Sequence, residues 1–334
     1  MRTILKFMMA ASVVAFISCT KESADNQIDN GATFPQVLVS FDVDEPVAEP
    51  DTRIVHSESG GVHTIKWKAG DQFSLFGYVN SATLIDGVSR QYEVVNYSAN
   101  RYSLVNGDGT KTFNGYFPNL KEIYGEGSKV LLNQYGIYPA ATVEVTRSNP
   151  ASTGFSNYYA VPVTPLAIPA DQDGSGWPYA LFFSRTAQFS EQYLNPSPPL
   201  APIIFSLGCV MLRLKVDSEK PVVSVTLSTT DAPVLVGNVT KIECSATGMW
   251  IAAGCATKTL TVSNGGVLPN DLYFAVRDLR VDKTYTFKFT AQDGSTYEKA
   301  FKVKGILGSD GKRKNYDKNL YSLGTVTPVW TPAQ

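Results

Sequence analysis

The chain has 334 residues, and its 29 basic and 30 acidic side chains leave a net charge of −1 at pH 7. This balance argues against nucleic-acid binding, for which a basic face supplies much of the affinity. Aromatic residues make up 11% of the chain and Gly and Pro are frequent, which is typical of a protein built from β-strands.

The amino-terminal residues predict an export signal. Arg2 and Lys6 precede an apolar run from Phe7 to Ile17, which is shorter than the ~20 apolar residues that cross a bilayer as a helix. A charged start followed by a short apolar segment is typical of a secretory signal peptide. We therefore predict that residues 1–18 are removed from the mature protein.

Cys19 ends the segment Phe16-Ile17-Ser18-Cys19, which resembles a bacterial lipobox. An acylated Cys19 would become the new amino terminus and anchor the chain to a membrane through its lipids. The alternative is a cysteine that merely ends the signal peptide. Residues 19–34 are polar and predict a flexible tether. The expected location is the outer membrane and the cell surface.

Beyond the signal, about 300 residues are more than one core accommodates comfortably. We predict two β-sandwich domains, over residues 35–218 and 219–334. No segment shows a sustained 3.6-residue apolar period, so the helices are expected to be few and short.

The first strand is predicted at Val37, Val39, Phe41 and Val43, which alternate with other residues in period two. An acidic segment with prolines follows and leads to Thr52-Arg53.

The next unit predicts a β-hairpin. Ile65 and Trp67 share one face, Gly70-Asp71 turns the chain, and Phe73 and Leu75 resume the apolar face.

Short strands are predicted from Gln91 to Phe117 and from Tyr135 to Val145. Residues 149–206 are rich in Pro, Tyr and Gly, which predicts a region with many loops. Regular alternation then returns, and it predicts strands over Val210–Val216, Val223–Leu227, Tyr285–Phe289, Tyr297–Val303 and Tyr321–Trp330.

The sequence contains no pattern typical of a catalytic site. Its only histidines, His56 and His63, have no metal-ligand spacing, and no nucleophile elbow of the GxSxG type is present. We therefore predict that the protein is not an enzyme and has no cofactor.

Residues 171–176 (DQDGSG) resemble the opening half of a calcium loop, with oxygen side chains at its first, third and fifth positions. Phe182 occupies the position of the closing glutamate, so we favour an acidic turn without a metal.

Two aromatic clusters, Tyr158-Tyr159 and Trp177-Pro178-Tyr179, lie in the loop-rich region. Such side chains can stack on sugar rings, or they can fill a core or a domain interface. We favour the second interpretation.

Three cysteines follow Cys19. An oxidising exterior allows one pair among Cys209, Cys244 and Cys255 and leaves one free thiol. Cys244 and Cys255 are close enough in sequence to bridge a hairpin loop, although spacing does not place their side chains together. Cys209 alternates into a strand and is interpreted as a small buried residue.

In their order, these features resemble the fimbrillin-like lipoproteins of Bacteroidetes, the type V pilin superfamily. The lipobox, the polar tether, Thr52-Arg53 and the unit Trp67-Lys68-Ala69-Gly70-Asp71-Gln72-Phe73 carry the resemblance, and Tyr138-Pro139-Ala140 and the strand Cys209–Val216 look like later parts of the pattern. Phe205-Ser206-Leu207-Gly208 departs from it, because the family often has a histidine there.

The resemblance implies two transthyretin-like β-sandwich domains in tandem. It also implies a structural or adhesive fimbrial (pilus) subunit, or an accessory subunit, with other fimbrial subunits and a host or microbial surface ligand as partners.

Members of this family that polymerise do so by strand addition. Carried over to this chain, a cut between Arg53 and Ile54 would release the strand with Val37, Val39, Phe41 and Val43. The donor strand would then present alternating side chains, namely Tyr321, Leu323, Thr325, Thr327 and Val329. The alternative is a monomeric surface lipoprotein that binds glycans, with an uncut Arg53.

Overall fold

Alternating apolar and polar residues form β-strands along most of the chain. The computed structural model describes residues 36–42, 55–59, 62–67, 70–83, 89–95, 102–104, 112–126, 128–148, 158–189, 203–232, 235–245, 248–307, 312–314 and 320–332. These ranges contain 25 strands, one short α-helix and one 3₁₀ helix, which confirms the predicted all-β class. The tandem transthyretin-like arrangement stays a prediction. Nowhere in these ranges is a helix long and apolar enough to span a membrane.

The described residues up to 207, called the first half of the chain below, contain fourteen strands. Their bounds are β1 Gln36–Asp42, β2 Val55–Ser59, β3 Val62–Lys66, β4 Gln72–Thr83, β5 Ser89–Val95, β6 Tyr102–Leu104, β7 Thr112–Pro118, β8 Lys129–Tyr138, β9 Val143–Arg147, β10 Tyr158–Pro162, β11 Ala167–Ile168, β12 Asp171–Gln172, β13 Phe182–Phe189 and β14 Phe205–Leu207. Eight of them form one sheet in the order β1-β7-β6-β4-β8-β13-β14, with β5 also paired to β4.

Both helices are short and lie between strands of the first half. Helix α1 spans Leu120–Tyr124, and the Asn119 side chain caps it by accepting the backbone N–H of Glu122 at 3.3 Å. The 3₁₀ helix spans Trp177–Tyr179.

The second half contributes eleven strands. Their bounds are β15 Val210–Val216, β16 Val222–Ser228, β17 Gly237–Ser245, β18 Gly248–Gly254, β19 Thr259–Val262, β20 Asp271–Val276, β21 Thr284–Ala291, β22 Thr296–Lys302, β23 Ile306–Leu307, β24 Arg313–Lys314 and β25 Leu320–Val326. A five-stranded sheet, β12-β19-β16-β21-β22, packs on a three-stranded sheet, β20-β15-β25. Phe274 and Phe287, from the two sheets, have ring centroids 6.1 Å apart.

Another sheet joins the two halves of the chain. It runs in the order β9-β10-β17-β18, and β11 pairs with the other end of β17. The buried Tyr135 hydroxyl donates to the Ser245 carbonyl at 3.1 Å and fixes this sheet to β8. Strands from both sides of the predicted boundary between residues 218 and 219 therefore share one sheet.

The hairpin predicted around Gly70-Asp71 is wrong in its pairing. Strand β3 pairs with β2, whereas β4 pairs with β5, β6 and β8. Gly70 turns the chain with φ of +90°, and Trp67 is buried against the rings of Phe113 and Phe205. The long strand β4 instead takes an interior place in the large sheet.

Candidate functional site

Strand β1 lies at one edge of the eight-stranded sheet. It is antiparallel to β7 along its entire length, and no second strand pairs with it among the described residues. The alternating positions predicted for this strand lie opposite buried positions of β7: Val37 opposite Phe117, Val39 opposite Gly115, and Phe41 opposite Phe113.

This edge position determines what the loss of β1 would do. An edge strand is held by hydrogen bonds on one side only, so its removal leaves a single row of backbone N–H and C=O groups unpaired on β7. Another extended segment can restore that row, and alternating side chains fix its register.

A cluster of aromatic side chains packs in the core beneath strand β7. Trp67 lies 5.1 Å from Phe113 and 6.0 Å from Phe205, and Phe73 lies 4.9 Å and 5.4 Å from the same two rings. All four contacts are edge-to-face, the arrangement that the ring quadrupoles favour. The four side chains are fully buried, so β7 is attached to a packed core.

Two separate sequence motifs meet in this cluster. The Tyr138 hydroxyl donates to Oδ1 of the buried Asp71 at 2.6 Å, and the Tyr138 ring lies 5.2 Å from Trp67. Next to this contact, the Ala140 backbone N–H donates to the Gln72 carbonyl at 3.0 Å. The W-x-x-G-D unit and the Tyr-Pro-Ala segment therefore form one contact network.

The carboxy-terminal strand β25 lies at the edge of the three-stranded sheet. It is parallel to β15, and a register shift interrupts the pairing near Gly324, whose φ is +78°. Ser322, Gly324 and Thr325 are exposed. Beyond β25, Thr331 and Thr296 exchange two backbone hydrogen bonds at 2.9 and 3.1 Å. The predicted strand therefore ends at Val326 and not at Trp330.

The predicted processing residues fall outside the described ranges. These are the lipidation residue Cys19 and the cleavage residues Arg53 and Ile54; Val43, predicted as the last position of the released strand, lies outside them as well. Among the predicted donor residues, Tyr321, Leu323 and Thr325 belong to β25, and Thr327 and Val329 follow it. Val329 is 75% exposed.

The acidic turn at residues 171–176 forms internal hydrogen bonds. Asp173 Oδ1 accepts from the backbone N–H and hydroxyl of Ser175 at 2.8 and 2.5 Å. No group of three or more His, Cys, Asp or Glu side chains is arranged to hold a metal ion in the part of the chain that the structure describes.

Gln172, in the same turn, has a role that the sequence did not indicate. Its side-chain Oε1 accepts from the Ala275 backbone N–H and its Nε2 donates to the Ala275 carbonyl, both at 2.8 Å. The buried amide thus completes the backbone hydrogen bonding at the edge of β20. Only the fold reveals this role, because a glutamine in a polar turn has no distinctive sequence signal.

The two aromatic clusters separate into buried and half-buried residues. Tyr158 and Trp177 are buried, and Trp177 packs 5.9 Å from the Tyr273 ring. This confirms the favoured interpretation for those two residues. Tyr159 and Tyr179 are half-buried.

The three cysteines after Cys19 are free and buried. Cys244 lies near the turn of the β17–β18 hairpin, opposite Met249, whereas Cys255 follows the far end of β18. Burial raises the pKa of the Cys209 thiol to about 12 and that of Cys255 to about 11. The interpretation of Cys209 as a small buried residue is confirmed.

No family model and no curated protein matches the chain. A candidate cell adhesion protein from Bacteroides ovatus has a similar solved structure, with 11% identity, coverage of 91% of this chain and 97% of that chain, and a TM-score of 0.47. A candidate cell adhesion protein from Bacteroides uniformis has 13% identity, coverage of 78% and 88%, and a TM-score of 0.41.

The fimbrial anchor protein Mfa2 from Porphyromonas gingivalis has 10% identity, coverage of 76% and 80%, and a TM-score of 0.28. Cell adhesion and fimbrial proteins of Bacteroidetes are also the class of protein that the sequence motifs resemble. With every TM-score below 0.5, the likeness assigns no role to any residue of this chain.

Proposed function

We propose that the protein is a structural or adhesive subunit, or an accessory subunit, of a surface fimbrium. It is exported as a lipoprotein acylated at Cys19 and assembled at the outer membrane by proteolysis-triggered strand exchange. The edge position of β1, in register with the buried positions of β7, is the observation that supports this proposal most directly.

A cut after Arg53 would change how β1 is held. Residues 43–54 connect β1 to β2, so cleavage removes the covalent link between β1 and the rest of the fold. The strand is then retained without a covalent link, through its pairing with β7. The rings of Trp67, Phe73, Phe113 and Phe205 pack against one another beneath β7, and we expect this packing to hold β7 in place after β1 has left.

The segment from Tyr321 to Val329 is the proposed donor. Strand β25 is an edge strand in a parallel pair, and parallel pairing is slightly less stable per residue than antiparallel pairing. The register shift near Gly324 lowers the cost of detachment further. Tyr321, Leu323 and Thr325 would supply the alternating side chains for the place left by β1.

Arg53→Ala tests the proposal. Wild-type precursor treated with an arginine-specific protease should form oligomers that resist detergent, whereas Arg53→Ala should remain monomeric because β1 stays covalently attached. Arg147→Ala is the matched control for loss of an arginine, and it should assemble as the wild type does. Assembly by Arg53→Ala at the wild-type rate would contradict the proposal.

A further inference from the structure

The sheet that joins the two halves has one buried face and one outer face. Tyr158, Ala160, Ile242 and Cys244 are buried, and their neighbours along β10 and β17 alternate to the other face. One row of the outer face crosses all four strands and consists of Thr146, Tyr159, Glu243 and Trp250.

The two aromatic side chains of this row lie two strands apart. Neighbouring strands are ~4.8 Å apart, so the positions of Tyr159 and Trp250 are separated by about 10 Å. Glu243, on β17, lies between them. Two flat rings with a carboxylate between them therefore line one direction across the sheet.

The Tyr159 ring is held in place by a neighbour on the next row. The Lys241 ammonium lies 3.7 Å from the ring centroid, a cation–π contact. Tyr159, Lys241, Glu243 and Trp250 are all half-buried, so packing restricts their rotamers while part of each side chain reaches solvent. Such preorganisation lowers the entropy lost when a ligand binds.

The next row extends the surface with an apolar and an acidic position. Val161, 37% exposed, lies opposite Glu144 on β9. The whole face therefore alternates ring or aliphatic surface with charged and hydroxyl groups. Neither an apolar helix nor an added strand suits it, because the first needs a continuous apolar groove and the second needs an unpaired edge.

We propose that this face binds an extended neutral oligosaccharide. Two of its sugar rings would stack on Trp250 and on the face of Tyr159 opposite Lys241, and the hydroxyls between them would form hydrogen bonds with Glu243, Lys241 and Thr146. Sugars carry an apolar C–H face and a rim of hydroxyls, which is the chemistry that aromatic rings interspersed with polar groups complement. The inference does not rest on strand exchange, since the surface is present in a single chain.

Calorimetric titration of the full chain lacking its signal peptide tests this inference, with cellohexaose and chitohexaose as probes and their disaccharides for comparison. We expect at least one hexasaccharide to bind, and to bind more tightly than its disaccharide because only the longer chain spans both rings. Trp250→Ala and Tyr159→Ala should each weaken binding by about tenfold or more. Tyr116→Ala is the matched control, because it removes a 56% exposed tyrosine from a different sheet.

Glu243→Gln keeps the shape of the side chain, so we expect this variant to fold. A loss of binding in it then reports on the carboxylate and not on the fold. Glu243→Gln should weaken binding several-fold while the thermal unfolding midpoint stays unchanged. The inference is overturned if no probe binds at millimolar concentration. It is also overturned if Trp250→Ala, Tyr159→Ala and Glu243→Gln all bind the oligosaccharide as tightly as the wild type does. It is also overturned if Trp250→Ala only abolishes self-association in sedimentation, since the face would then contact a second copy. Arg53→Ala should bind as the wild type does, so this test is separate from the assembly test.

Discussion

The Tyr138 hydroxyl donates a 2.6 Å hydrogen bond to Oδ1 of Asp71, across 67 positions of the chain. Asp71 is only 7% exposed, so its carboxylate depends on partners within the protein. The contact joins the turn before β4 to the end of β8, directly beside the Trp67 ring. The contact therefore stabilises the aromatic cluster beneath β7, next to the proposed site of strand exchange.

Removing the hydroxyl of Tyr138 should destabilise the fold. We expect Tyr138→Phe to lower the free energy of unfolding by about 1–3 kcal/mol, because a buried carboxylate loses a donor while the ring packing is kept. Urea unfolding followed by fluorescence measures the change. Tyr116→Phe, at a tyrosine that is 56% exposed, serves as the comparison and should stay within about 0.5 kcal/mol of the wild type. If the two variants lower the free energy of unfolding equally, the hydrogen bond from Tyr138 to Asp71 does not stabilise the fold.

The Gln172 amide should stabilise the edge of β20. Gln172→Ala leaves the Ala275 N–H and C=O without these partners, and we expect a loss of about 1–3 kcal/mol in the free energy of unfolding. Asp171→Ala, at the exposed neighbouring position, is the control and should change stability by less than about 0.5 kcal/mol. If hydrogen exchange at the Ala275 amide is not faster in Gln172→Ala than in the wild type, the Gln172 side chain does not protect the edge of β20.

Asp293 should make stability depend on pH in the acid range. A hydrogen bond from the Lys220 ammonium at 2.7 Å, with further bonds from Ser295, holds the pKa of the Asp293 carboxyl well below its ordinary value of 3.8. A lowered folded-state pKa stabilises the fold above the unfolded-state value, and this contribution is lost as the pH falls towards the folded-state value.

The stability difference between the wild type and Asp293→Asn should therefore be constant from pH 7 to pH 5. It should decrease below about pH 4, where the unfolded carboxyl takes up its proton. Denaturant melts at several pH values measure it. If the stability difference between the two proteins grows on acidification, the pKa of Asp293 is not lowered in the folded state. Asp282→Asn, which changes an exposed carboxyl, serves as the comparison.

The three buried thiols should be unreactive in the folded protein. Burial raises the pKa values of Cys209 and Cys255, so almost no thiolate is present at pH 8, and burial also raises the pKa of Cys244. In a chain that begins after Cys19, iodoacetamide should add three labels in denaturant and none within minutes under native conditions. A peptide containing Cys244 disulfide-linked to Cys255 would contradict the free thiols.

Local alternation predicted β15, β16, β21, β22 and β25 of the second half, whereas β17, β18, β19 and β20 were not predicted. In β21, strict alternation places Tyr285, Phe287 and Phe289 on a buried face, whereas in β15 Met211 is buried together with Val210, Leu212 and Leu214. Gly294 adopts φ of +80° in the tight turn between β21 and β22, a conformation that glycine favours.

Pairing between distant strands could not be predicted. The sequence near Trp67 reads as a hairpin, but which strand pairs with β4 is decided by β8, far along the chain. The outer row with Glu243 and Trp250 was missed for the same reason, because Tyr159 and Trp250 become neighbours only when β17 inserts between β10 and β18. Alternation in β17 and β18 was the only available signal.

Mass spectrometry of the mature amino terminus, on polymer released from the cell surface, tests strand exchange most directly. If strand exchange builds the polymer, its chains begin at Ile54 within detergent-resistant oligomers, with residues 36–42 absent. Oligomers whose chains all begin at an acylated Cys19 and retain residues 36–42 would contradict it, because β1 would still occupy the edge of β7.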